Sequence, residues 1–171
     1  MPISAHGRAH GPFRYNGHRP STIWRPNALA FFAGQSREQM RRMYLESWRK
    51  FNAKQPLEPL EAQLAAVIAE HAEYLEWIEA GESAIAAEFT PESGRQNPFL
   101  HMGLHLAIRE QVATNRPDGI TDIHRELAGR LGGAHDAEHM LIEVLAETLW
   151  SAQRSGQAPD EQAYLEKLRS L

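Results

Sequence analysis

A chain of 171 residues, 42% hydrophobic and 23% charged, has the size and balance expected of one soluble globular domain. It holds no cysteine, which excludes disulfides, thiolate metal sites and cysteine nucleophiles. No run approaches ~20 uninterrupted apolar residues and the amino terminus lacks an apolar signal core, so no membrane span is expected and a cytoplasmic location is.

Residues 1–28 carry Arg8, Arg14, Arg19 and Arg25 and no acid, so a net charge of −4 for the whole chain leaves −8 for the remainder. The segment HGRAHGPFRYNGHRPSTIWRP is rich in Gly and Pro and has no helical period, and it reads as a disordered basic arm. Phe13, Tyr15 and Trp24 could stack on nucleic acid, but four arginines are few and the acidic body repels phosphate, so nucleic acid is disfavoured. His6, His10 and His18 are irregularly spaced and receive no role.

Residues 29–171 read as a single all-helical domain, an all-α bundle of about five to six helices. Ser36 and Gln39 form a capping box ahead of Met40, Met43, Tyr44, Trp48 and Phe51, and Pro56 closes that helix. Pro59 opens a second helix expected to run unbroken to about Ile78, before Gly81. Residues 80–96 form a long connection holding a short turn of helix around 83–88. Asn97 caps a third helix with Pro98 in its first turn, which ends before Pro117. A fourth spans roughly 121–131 and stops at Gly132 and Gly133; a fifth runs from about Ala134 to Arg154 and stops at Gly156. Asp160 caps a last short helix carrying Tyr164, Leu165 and Leu168.

Within these helices the histidines fall in pairs four apart: His101 with His105, and His135 with His139, Glu138 lying between the latter. A step of four stacks side chains on one helical face, about 5–6 Å apart at Cβ. At about 100° per residue, His101 and His105 share a stripe with Ile108 and Val112, and His135 and His139 share one with Ile142, Ala146 and Leu149. His71 falls among Leu64, Val67, Leu75 and Ile78, while Glu70, Glu73 and Glu110 point elsewhere. His124, at the margin of its stripe, reads as a core residue.

Each histidine pair occupies the first two turns of its helix, so one level of the bundle can gather His71, His101, His105, His135, Glu138 and His139. Neutral imidazole is what a metal binds, and without thiolates a transition metal held by nitrogen and oxygen is the sharpest expectation: zinc or iron, with nickel and manganese also compatible. Glu138 would serve as ligand or base, and no catalytic residue is assigned. The competing reading is a non-enzymatic interaction module in which the histidines hydrogen-bond to Tyr44, Tyr74, Glu138 or Gln153. Whether the chain forms a homo-oligomer is not legible.

The segments FFAGQSREQMRRMYLESWRK (residues 31–50), EHAEYL (70–75), NPFLHMGLHLAIREQ (97–111) and AEHMLIEVLAETLWSAQR (137–154) resemble a bacterial family of small uncharacterised proteins, domain of unknown function eighteen forty-one. The resemblance covers nearly everything after the arm and implies no activity. The inward histidines are similar in kind to those of hemerythrin-like metal bundles, although His101 and His105 stand where carboxylates would bridge two irons. The run His135-x-x-Glu138-His139 matches the H-x-x-E-H of inverted zinc peptidases, a motif short enough to recur by chance.

Overall fold

The Ser36 hydroxyl accepts from the Gln39 backbone N–H while the Gln39 side chain accepts from that of Ser36, so the capping box starts α1, Arg37–Asn52. The structure is a computed structural model that describes residues 36–89 and 96–171, and the predicted basic arm lies outside the described residues. After α1 come α2 (Pro59–Ala69), a 3₁₀ turn (Ala72–Tyr74), α3 (Leu75–Glu79) and α4 (Glu82–Ala86). The second half holds α5 (Pro98–Thr114), α6 (Ile120–Leu131), α7 (Ala134–Ser155) and α8 (Glu161–Arg169). Among the described residues there is no strand, and no helix is long and apolar enough to cross a membrane.

Most boundaries follow local chemistry. The Asn97 side chain accepts from the N–H groups of Phe99 and Leu100, with Pro98 in the first turn of α5. Asp160 caps α8 by accepting from Ala163 N–H. Gly132 and Gly156, at φ of +91° and +66°, end α6 and α7 in the left-handed conformation that glycine adopts without a Cβ clash.

One boundary departs from expectation and matters most. The second helix does not run to Ile78: α2 ends at Ala69, and His71 adopts φ −122°, ψ 67°, outside the helical region. The His71 backbone N–H bonds Ile68 O, three residues back, which leaves Val67 O without its usual amide partner. The His71 side chain takes that role, its Nδ1 lying 2.7 Å from Val67 O. An imidazole N–H thus closes the helix end that no glycine or proline marks.

Helix α5 organises the packing, touching α2, α6 and α7. Its Phe99, Met102 and Leu106 join Tyr44, Leu64, Val67 and Ile68 in one buried apolar cluster. Leu104, Ala107 and Ile108 join Ile120, Leu127, Leu141, Leu145 and Tyr164 in a second. A helix apolar on two sides is a buried one. The stripe between those sides, near 0°, 40° and 80° at about 100° per residue, carries His101, His105 and Arg109.

α4 is fastened to α1 by the exposed Arg42–Glu82 ion pair and, in the interior, by Arg41. Arg41, 2% exposed, donates to Ala84 O (3.1 Å), Ile85 O (2.7 Å) and Ala87 O (2.7 Å). Its guanidinium also lies over the rings of Phe89 and Phe99, 5.2 and 5.1 Å from their centroids. A charged donor on three carbonyls at a helix C-terminus is worth more than a neutral one. Arg41→Ala is expected to lower stability by about 3 kcal/mol, from the lost charge-assisted hydrogen bonds and the carbonyls left buried; urea unfolding followed by circular dichroism measures it.

Candidate metal centre

The end of α2 supplies His71, the first turns of α5 supply His101 and His105, and the start of α7 supplies His135, Glu138 and His139. All six side chains picked from the sequence meet in one place. The His105 ring lies 4.6 Å from that of His71, 4.9 Å from His101, 5.0 Å from His135 and 4.8 Å from His139, centroid to centroid. One ligand atom from each of His71, His105, His135 and His139 lies within 4.8 Å of the other three.

The nitrogen separations are informative. Nε2 of His105 is 3.1 Å from Nε2 of His71 and 3.2 Å from Nε2 of His101, which is in turn 3.3 Å from Nε2 of His139. Two nitrogens about 2.0–2.1 Å from a tetrahedral zinc ion are about 3.3–3.4 Å apart, and the edge is shorter in an octahedron. These three separations match the donor spacing within a single coordination sphere.

Outer partners fix which nitrogen of each sealed ring carries hydrogen. Val67 O can only accept, so His71 Nδ1 donates, and in the neutral ring Nε2 keeps its lone pair. His105 Nδ1 lies 2.7 Å from Glu138 Oε2. Burial pushes the Glu138 carboxyl up, but hydrogen bonds from His105 and Arg109, with the Arg109 charge, outweigh it and hold the group down at about 2. Glu138 is thus an acceptor, His105 Nδ1 carries the hydrogen, and His105 Nε2 also keeps a lone pair. With both rings neutral, two acceptor nitrogens aim at each other across 3.1 Å.

Protonation of a ring is opposed by its setting. Burial, then the imidazoles of His105, His71 and His139, push His101 down to about 4. Burial also lowers His105, against the pull of Glu138, and burial followed by His135 and His71 lowers His139. His71 and His105 are sealed, at 1% and 0% exposure, whereas His101, His135 and His139 are half-buried and form the side of the cluster open to solvent.

Four further residues complete the site, and of these the sequence singles out only Tyr74, as a hydrogen-bond partner in the competing reading. Arg109 Nε donates to both Glu138 oxygens, at 2.9 and 3.1 Å, and its Nη2 donates to Glu138 Oε2 (2.9 Å) and to Glu70 Oε2. Glu70 Oε2 is also 3.3 Å from His135 Nδ1, outside hydrogen-bond alignment. The Tyr74 ring stacks parallel to His71 at 5.6 Å, and its hydroxyl donates to the Gln96 side chain, which contacts His101 Nδ1 at 3.2 Å. Arg109 had a usable signal, since it repeats the step of four from His101 and His105. Glu70 had none, because the chain turns off the helical path beside it.

The tautomer assignment is directly measurable. Long-range ¹H–¹⁵N correlation of the imidazoles is expected to report Nδ1–H for both His71 and His105, and an Nε2–H signature for either would contradict the geometry.

No curated protein and no solved structure matches the chain. Residues 36–170 match the family described as Domain of unknown function (DUF1841), which agrees with the resemblance carried by the histidine-bearing segments. The span includes every helix described above, and the chain belongs to that family.

Proposed function

We propose that this protein binds a transition-metal ion through Nε2 of His71, His105 and His139, with His135 as fourth donor and His101 within reach as a fifth. One observation carries the reading: Nε2 of His71 and Nε2 of His105 face each other at 3.1 Å in a sealed setting while the Nδ1 of each ring is engaged elsewhere, so in neutral rings two lone pairs are opposed. No hydrogen bond joins two acceptors, and a shared cation removes the conflict. The outer contacts support it, since a histidine that donates its far N–H to a carbonyl or carboxylate is the usual arrangement behind a metal ligand. An all-imidazole, neutral donor set suits zinc, iron or nickel better than manganese.

Glu138 acts in this reading from behind His105. Both its oxygens are engaged and its carboxyl is held at about 2, far from the neutral range that suits a general base. It orients the imidazole and raises its basicity.

A purely hydrogen-bonded cluster is the second reading, favoured by Gln96. When its amide donates to His101 Nδ1, His101 Nε2 carries a hydrogen that His105 or His139 accepts. That network still leaves Nε2 of a neutral His71 without a donor.

Untagged protein from metal-replete growth is expected to hold about one ion per chain by elemental analysis, as befits a single imidazole sphere. His105→Ala, checked for helicity, is expected to hold none. Glu138→Gln is expected to weaken binding roughly 10–100-fold, and chelation to lower the melting temperature of the wild type. A metal-free wild type that gains no thermal stability from added zinc, iron or nickel would refute the reading.

A further inference from the structure

The carboxylates beside the cluster raise a question that the histidines do not answer. One ligand atom each from Glu70, His135 and Glu138 also lies within 4.8 Å of the other two, the span of a second metal position. His135 belongs to both groups. Proteins that place carboxylates and histidines so close commonly hold two ions, and oxygen donors draw the harder ones, manganese and magnesium among them.

We infer that Arg109 is a specificity-determining residue whose guanidinium is a resident cation between Glu70 and Glu138, restricting the site to one ion on nitrogen donors. The inference rests on the metal reading of the histidine cluster. Its observation is separate: a single nitrogen, Arg109 Nη2, donates to Oε2 of Glu138 at 2.9 Å and to Oε2 of Glu70. It thus lies between the oxygens that a second ion would join. Arg109 Nε completes a two-pronged grip on Glu138, whose Oε2 also accepts from His105 Nδ1, so both oxygens of that carboxylate are already engaged. The side chain is half-buried, and its pKa is raised: burial lowers it, but the bonds from Glu138 and Glu70 win.

Charge gives the same answer. With Arg109 in place two carboxylates share one fixed positive charge, and a divalent ion entering there must displace it or share its acceptors. Without Arg109 the two acids face each other uncompensated, and a cation is the simplest way to relieve them. Glu138, released from its grip, then becomes available as an oxygen ligand next to His135.

The test is equilibrium dialysis of wild type and Arg109→Met against equal concentrations of zinc(II) and manganese(II), followed by elemental analysis. Methionine keeps much of the stem volume and removes the charge. Wild type is expected to hold about one ion, zinc, and the variant about two, the second in the oxygen-rich position. A folded variant that still holds one zinc and excludes manganese overturns the inference and leaves the histidine reading standing. A wild type and variant that both hold nothing sink the two together. Should the methionine variant not fold, Arg109→Lys decides, because a point charge cannot grip both acids as the planar fork does. A rise of roughly tenfold in its manganese affinity, the size typical of outer-shell changes, supports the inference, and unchanged affinity overturns it.

Discussion

A neutral imidazole has one N–H, and His71 and His105 both direct theirs outward, to Val67 O and to Glu138. What faces inward, when both rings are neutral, is a pair of acceptor nitrogens at 3.1 Å, shut away from water. A buried polar atom without a partner costs about 1–3 kcal/mol, and two acceptors pressed together add repulsion to that loss. Bringing in a proton is opposed by burial and by the neighbouring rings, which lower His105, His101 and His139 alike. A metal ion needs neutral nitrogens with free lone pairs and meets none of these objections. The same facts that make the metal-free cluster costly make it receptive.

The rest of the fold supplies the rigidity this arrangement demands. His105 lies on α5 between two apolar clusters that hold the helix from both sides. Its neighbours Leu104, Leu106, Ala107 and Ile108 are all buried, so the ring has little freedom to turn away. His71 is held by its own backbone break, where the imidazole substitutes for a missing amide at the end of α2. Glu138 is held by Arg109, which reaches across to Glu70 and ties α7 and the end of α2 to α5. The sealed histidines are thus fixed from outside, while His101, His135 and His139 lie on the more exposed side of the cluster.

Much of this was legible in the sequence because much of it is local. The step of four between His101 and His105, and between His135 and His139, depends only on helical geometry, and the caps at Ser36, Asn97 and Asp160 depend only on the residues around them. The glycine stops after α6 and α7 are equally local. What was not legible is the break at His71. Periodicity from Leu64 to Ile78 continues across it, and neither glycine nor proline interrupts the run. The decision is made by a side chain bonding a carbonyl four residues back, a contact that no pattern of apolar positions encodes. Missing the break also meant missing Glu70, whose direction follows from it. Glu138 was legible as a member of the site, but its facing toward Arg109 and His105 depends on how α5 and α7 cross.

These outer residues also bear on why such a cluster would be kept. Five imidazoles and two acids at the junction of three helical segments, partly unsatisfied, are worse for stability than an apolar core of similar volume. Leucine, valine and methionine would fill the same space without any conflict among lone pairs. Local arrangements that work against folding are where function concentrates, since the surrounding packing must hold them in place. The two apolar clusters of this protein are well filled, with Leu64, Val67, Ile108, Leu141 and Leu145 fully buried, and they can sustain one costly region. Arg109 and Glu138 then read as parts of that region. They neutralise each other, leave the inner donors uncharged, and keep oxygen ligands away from a position that nitrogen defines.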